Sequence, residues 1–154
     1  DGDELHIYAY YPYDATMSSP INSTFSVKTD QSAATSYSQS DLLLAQRTDV
    51  SKSSSAVDLQ FSHAFSLLQV EVESGVNAIP LTNDLTATLT NVRTAAVLNW
   101  SGALTGTGTT TNIVMHKVAD NSYIYRVLVP AQTLTAESNV VLKQNASNGE
   151  IEMK

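Results

Sequence analysis

VDLQFSHAFSLLQVEVE, residues 57–73, is the stretch that decides the fold class. Its first part reads as a strand, with Val57, Leu59 and Phe61 alternating against Asp58, Gln60 and Ser62. Its last part reads as another, with Leu68, Val70 and Val72 alternating against Gln69, Glu71 and Glu73. Between them the apolar positions change from odd to even. Successive strand side chains point to opposite faces, so a one-residue change of parity turns every later side chain over. A bulge or tight turn is therefore expected near His63.

Working outward, the N-terminal side begins with LHIYAYYPY (5–13), which reads as a strand. Leu5, Ile7, Ala9 and Tyr11 share one face, and His6, Tyr8 and Tyr10 the other. Both faces are apolar or aromatic, so both are expected to be covered. Pro12 cannot donate to a ladder, which places this end near a sheet edge. Residues 14–41 read as a polar, irregular excursion that wraps or leaves the domain, with one short strand over 24–27. Residues 42–46 read as a short strand and 48–55 as a polar loop.

On the C-terminal side, Ser74-Gly75 closes the opening stretch. Leu85, Ala87 and Leu89 alternate with Thr86, Thr88 and Thr90, the pattern of a half-exposed antiparallel strand. Residues 96–100 read as a separate short strand, and 101–112 as a Gly/Thr loop. Residues 113–118 and 123–129 read as a hairpin with Asp120-Asn121 in its turn. Residues 139–144 and 150–153 read as a second, turned by Asn148-Gly149, the strongest short hairpin signal. Ile151 and Met153 are expected to point inward. No window carries a sustained 3.6-residue apolar period, and no unit repeats. Short strands separated by turn signals imply an all-β, antiparallel sandwich.

Composition narrows the function. At 154 residues one domain is the natural expectation. Such a chain buries roughly 70% of its unfolded surface, enough for a core without staples. There is no cysteine, so no disulfide or thiolate metal site holds it. The net charge is −7, with eight Lys and Arg. A nucleic-acid binder needs a basic stripe to neutralise phosphates, and none is visible. Attraction to anionic membranes is disfavoured for the same reason, and no apolar run is long enough to span a bilayer. Ser and Thr make up about a quarter of the residues and charged ones 15%. Thr fits a pleated face and hydroxyls solvate it without charge, a lean towards exported β-proteins.

Candidate chemistry is sparse. His6, His63 and His116 lie on three different expected strands, without the local pairs that zinc sites use. Odd parity points His63 inward beside Phe61, as a core histidine bonded to a backbone carbonyl. Ser62 and His63 are strand neighbours facing opposite ways, so they form no catalytic dyad. Glu71 and Glu73 share one outward face. Paired carboxylates could serve glycoside hydrolysis, but here they read as a solvated face that deters edge pairing. Asp1, Asp3 and Glu4 lack the rest of a calcium loop. GTGTTT (106–111) lacks the GK[ST] of a phosphate loop and reads as a flexible hairpin loop. Tyr8 and Tyr10 alternate against Tyr11 and Tyr13, so no single four-ring sugar platform forms; core and edge packing is expected. The sequons at Asn22, Asn99 and Asn145 are what a Ser/Thr-rich chain yields by chance. No catalytic, cofactor-binding or metal residue is assigned, and the binding residues are unknown.

YAYYPY (8–13), SDLLLAQ (40–46), VDLQFSHAFSLLQVEVESG (57–75) and VPAQTL (129–134) occur in an order that resembles the fimbrillin-like family. These are the fimbrial subunits and tip proteins of Gram-negative anaerobes. The similarity spans most of the chain, and FSHAF (61–65) is its most specific part. The resemblance implies exported lipoproteins with two transthyretin-like, Greek-key β-sandwich domains. It implies that proteolysis removes an N-terminal strand and opens an apolar groove, which a neighbouring subunit's terminal strand fills. Such head-to-tail contacts propagate into filaments.

On this resemblance residues 1–154 are a single β-sandwich domain, the N-terminal one of a longer two-domain precursor. The lipid-bearing Cys and the removable strand are expected before Asp1, and the second domain and donor segment after Lys154. The expected function is that of a non-enzymatic fimbrial structural or adhesion subunit on the outer-membrane surface or in a fimbrium. Expected partners are other fimbrial subunits, through donor-strand exchange, and a host or bacterial surface receptor. Membrane contact comes only through the upstream lipid anchor, and no cofactor is implied. The alternative is an extracellular carbohydrate-binding β-sandwich module, which exposed tyrosines at one loop end would support. An all-β hydrolase would need carboxylates converging in a cleft.

Overall fold

A computed structural model of the chain describes residues 5–17, 22–51, 56–75, 80–98, 104–146 and 149–153. Its elements are β1 (Leu5–Tyr11), β2 (Thr24–Ser26), α1 (Ala34–Gln39), β3 (Leu43–Val50), β4 (Ser62–His63), β5 (Ser66–Glu71), β6 (Thr86–Val97), β7 (Gly106–Val114), β8 (His116–Lys117), β9 (Ile124–Val129), β10 (Val140–Ala146) and β11 (Gly149–Met153). The fold is all-β and sandwich-like, as the alternation predicts. The strands form three sheets: β1-β3-β4, β5-β9-β8, and β11-β10-β6-β2 with β7 also on β6. All strand pairings are antiparallel.

β6 is the spine. Thr88 pairs with both Val141 and Val114, and Ala95 with both Ser26 and Thr107. β7 therefore occupies one edge of β6, while β10 and β2 share the other. The buried side of β6 and its flanking residues carries Leu85, Ala87 and Leu89, then Val92, Ala96 and Leu98. They join Tyr125, Val127 and Val129 of the β9 segment in one apolar cluster, against which Leu68, Val70 and Val72 pack. Burying each large aliphatic side chain stabilises by about 1.5–3 kcal/mol, against at most about 1 for an exposed ion pair. The cluster between the layers, not surface charge, holds the fold.

Three bulges shape the sheets, each with one residue in the left-handed region. Leu5 to Ile7 on β1 spans Val50 to Arg47 on β3, where Asp49 has φ 59°. Leu89 to Val92 on β6 spans Ile113 to Thr111 on β7, where Asn91 has φ 55°. Arg93 to Ala95 spans Thr110 to Thr107, where Gly108 has φ 80°. An extra residue bends the bulged strand, and Asp, Asn and Gly tolerate its left-handed backbone best. The bulge at Asn91 turns the core face of β6 from odd to even positions.

The opening stretch changes parity by a different route. Its first half is not a strand: residues 57–61 are unpaired, and only Ser62 and His63 pair, with Leu44 and Leu43. Val57 and Phe61 stay 40% and 45% exposed, because among the described residues no second layer covers them. The chain then bends at Phe65 and enters another sheet. Phe65 is buried, with its ring 5.7 Å from that of Phe25. Beyond it Leu68, Val70 and Val72 face the core, as the even alternation predicts.

Other expectations are corrected by partner edges. Residues 48–50, read as loop, extend β3 because β1 pairs with them as far as Val50. GTGTTT lies within β7, since β6 offers a long edge and ladder bonds need no apolar side chain. Residues 96 and 97 continue β6 instead of starting a new strand. No residue of β1 is buried, so its two faces are not both covered. The excursion 14–41 contains α1, whose last turn is held by Ser40: its Oγ donates to the Ser36 carbonyl and accepts the Lys28 N–H, both at 2.9 Å. The 116–126 hairpin forms, with His116 paired to Arg126. In the second hairpin Ala146 pairs with Gly149. Asn148 of its turn, the side chains of Ile151 and Met153, the acidic residues 1, 3 and 4, and Asn99 lie outside the described residues.

Three glutamines act as surrogate strand residues. Gln31 bridges to Leu128 of β9. The Gln132 amide accepts the Arg93 N–H at 2.8 Å and donates to its carbonyl at 2.9 Å. Gln144, buried, donates to the Pro80 carbonyl at 3.1 Å and accepts the Thr82 N–H at 3.3 Å. Each satisfies backbone groups that would otherwise be stranded away from a ladder.

Candidate functional site

The residues that could carry chemistry are kept apart. His6 is exposed on β1. His63 is 70% exposed at its side chain, with Nδ1 2.7 Å from Asp41 Oδ1. This corrects the inward, carbonyl-bonded histidine: the face it shares with Phe61 is uncovered, and Phe65 enters the core instead. His116 Nδ1 lies 3.0 Å from the Ser32 carbonyl oxygen, and its ring stacks on Tyr37 at 4.9 Å. Among the described residues no group of three His, Cys, Asp or Glu side chains could hold a metal. Glu71 is exposed at the end of β5 and Glu73 is exposed just beyond it.

β5 provides the first notable surface. It is the outermost strand of the β5-β9-β8 sheet. β9 pairs with it from Ser66 to Glu71, and among the described residues no strand pairs with its other edge. At its start an apolar groove of about 190 Å³ opens. Leu68 and Val129 from one layer and Leu89 from the other line it, with Leu67 and Leu134 at 54% and 48% exposure. The gap between the layers is thus open to solvent beside an edge strand. Glu71 and Glu73 place charge at the opposite end of that edge.

The end of β1 provides the second. A cavity of about 450 Å³ is lined by Tyr11, Tyr13, Asp14, Phe25, Lys28 and Gln39, among others. Tyr11 is 56% and Tyr13 81% exposed. Tyr10 goes elsewhere: it packs against the core and donates its hydroxyl to the Asp14 carbonyl at 3.3 Å. The Asp14 carboxylate accepts the Thr16 hydroxyl at 2.6 Å and the Thr16 N–H at 2.8 Å. These bonds hold its pKa below the usual aspartate value. Tyr11 and Tyr13 line the cavity and Tyr8 and Tyr10 do not, and Tyr13 lies beyond the end of β1. Lys28 and Gln39 had no signal in the sequence, because the loop that brings them is irregular.

The model of the fimbrillin-like family matches residues 1–154, the whole of the chain. The chain belongs to the fimbrillin-like family. The resemblance carried by the four ordered motifs is borne out. No curated protein matches this fimbrillin-like chain. Among solved structures, a candidate cell adhesion protein from Bacteroides uniformis superimposes with a TM-score of 0.67 at 24% identity. Another, from Bacteroides ovatus, does so with a TM-score of 0.70 at 18% identity. Each match covers 99% of the fimbrillin-like chain, but only 59% and 57% of the two neighbours. At these identities the likeness is one of fold, and the chain spans less than two thirds of either neighbour's length. Among the described residues no helix is long and apolar enough to cross a membrane.

Proposed function

We propose that this fimbrillin-like chain is a non-enzymatic fimbrial structural or adhesion subunit, assembled at the cell surface by β-strand exchange. One observation carries the mechanism: the outermost strand β5 lies beside a groove that exposes both layers of the core. A donor strand laid along Ser66–Glu71 would gain a backbone ladder. Its alternate side chains would enter the gap over Leu68, Leu89 and Val129. The adhesion role that the two structural neighbours' descriptions propose for them supports the same location for this chain. In this reading the chain is one sandwich domain, the N-terminal one of a longer precursor that carries its lipid anchor upstream. The greater length of both neighbours supports it. Transthyretin-like Greek-key topology belongs to the same proposal.

The test is to treat the full-length precursor with a trypsin-like protease and follow it by electron microscopy. Polymers are expected after trimming and not before. A trimmed protein that stays monomeric would overturn assembly by strand exchange.

A further inference from the structure

We propose that the cavity at the end of β1 is a binding site for a neutral oligosaccharide. The inference is independent of strand exchange, because the cavity and the β5 groove share no lining residue.

Saccharides present two chemistries at once. Their C–H faces are apolar and lie flat on aromatic rings, while their hydroxyls each donate and accept hydrogen bonds. The cavity offers both. Tyr11 and Tyr13 expose rings that make no core contact, and an aromatic ring left in water is a large apolar area awaiting cover. Around them stand the Lys28 ammonium, the Gln39 amide and the Ser26 hydroxyl. Lys28 lies near enough to Asp14 to help lower its pKa, and the Gln39 amide and Ser26 hydroxyl line the cavity with them. Asp14 adds a carboxylate whose Oδ1 is taken by Thr16, while among the described residues no hydrogen bond engages its second oxygen. Donors and acceptors thus surround a pair of stacking rings.

The site is also pre-formed. Phe25, buried in the core, lines it from β2. Lys28 is held through its backbone by Ser40, at the end of α1. Asp14 is held by Thr16 in a local turn. A backbone already fixed around the cavity loses less freedom on binding. The volume of about 450 Å³ falls within the roughly 300–1,000 Å³ of small-molecule sites. Charge selects the class. In the lining Asp14 and Lys28 offset each other, so the net charge of −7 on the whole chain sets the field around the site. Sialylated or sulfated glycans are repelled by that field, while neutral ones are not.

The experiment probes a printed array of neutral and sialylated glycans with the labelled full chain, and confirms hits by NMR titration with the same glycans. Binding to neutral glycans is expected. Tyr13→Ala should weaken it at least tenfold with the melting temperature unchanged, since Tyr13 is almost wholly exposed. Gln39→Ala should weaken it severalfold, and Leu134→Ala in the distant groove should leave it intact. Three results would each overturn the proposal: no neutral glycan bound, only sialylated glycans bound, or neutral binding that survives Tyr13→Ala and Gln39→Ala together. Polymerisation of the trimmed precursor reads strand exchange separately.

Discussion

The side-chain amide of Gln31 bonds both backbone groups of Leu128: Nε2 donates to the carbonyl at 2.9 Å, and Oε1 accepts the N–H at 3.0 Å. The even residues of β9 present these groups towards β8, as the Val118 N–H bonded to the Ile124 carbonyl shows. β8 stops pairing at Arg126, so Leu128 would be bare without Gln31. Gln31 is itself fully buried, and its N–H donates to the Val114 carbonyl of β7 at 2.9 Å. One residue thus ties the excursion after β2 to two sheets, through its side chain to β9 and through its backbone to β7. Gln31→Ala strands a buried donor and a buried acceptor and should cost about 3 kcal/mol. Gln31→Glu keeps the shape but loses the donor, and should cost a comparable amount at neutral pH. Urea denaturation checks this as a lower midpoint with unchanged slope.

Gly108 should be replaceable only at a cost set by its backbone. A Cβ there would meet nothing within 4 Å, yet φ is +80°. Gly108→Ala should therefore destabilise by about 1–2 kcal/mol, and Gly108→Asn by less, because Asn tolerates the left-handed region. Thermal melts of the two variants separate this from a packing effect, which would rank the larger Asn worse.

Tyr125 links stability to alkaline pH. Its hydroxyl donates to the Leu85 carbonyl at 2.6 Å. Burial pushes its pKa up to about 12, against an ordinary value of 10.0. The folded state holds this proton more tightly than the unfolded state does. The stabilisation is complete below pH 10 and is lost as pH rises from about 10 to about 12. Tyr125→Phe should lower stability at neutral pH, by leaving the Leu85 carbonyl unpaired, and flatten the decline across this window. Denaturation midpoints against pH measure both.

Within FSHAF, the weight falls on Phe65 and not on His63. His63→Ala removes an exposed pair with Asp41 and should change stability by no more than about 0.5 kcal/mol. Phe65→Ala empties a core position and should cost about 3–5 kcal/mol. Calorimetry on the two variants would contradict these roles if the order were reversed.

Leu134 borders the β5 groove at 48% exposure. Leu134→Asp should leave the melting temperature within a few degrees while suppressing polymers of the trimmed precursor, because a carboxylate at the groove opposes an apolar donor side chain. Polymers of normal length from a folded Leu134→Asp protein would place the exchange elsewhere.

Alternation is a local property, so it was legible. Leu68, Val70 and Val72, and Leu85, Ala87 and Leu89, face the core as their spacing predicts. The turn at Asp120-Asn121 is also local, and its hairpin is present. Strand lengths were not legible. β3 reaches Val50 and β7 takes in GTGTTT because β1 and β6 offer edges there, and a ladder bonds backbones of any composition. Val57–Phe61 alternation failed for the converse reason: pattern without a covering layer makes no strand. Of the cavity at the end of β1, only the tyrosines themselves were visible, and they were read as core and edge packing; strand parity ends with β1 at Tyr11 and does not reach Tyr13. Lys28 and Gln39 reach it only through the path of an irregular loop.

The order of apolar and polar residues was enough by itself to determine an all-β chain, the inward face of its main strands and, through four ordered motifs, its family. Alternation and turn chemistry act between near neighbours, which a sequence displays directly. Only the tertiary structure decided that Gln31 completes the edge of β9, that His63 is exposed, and that β5 is outermost among the described strands of its sheet, beside an open groove. Those outcomes depend on which edge or layer arrives from a distant part of the chain, and no local spacing records that arrival.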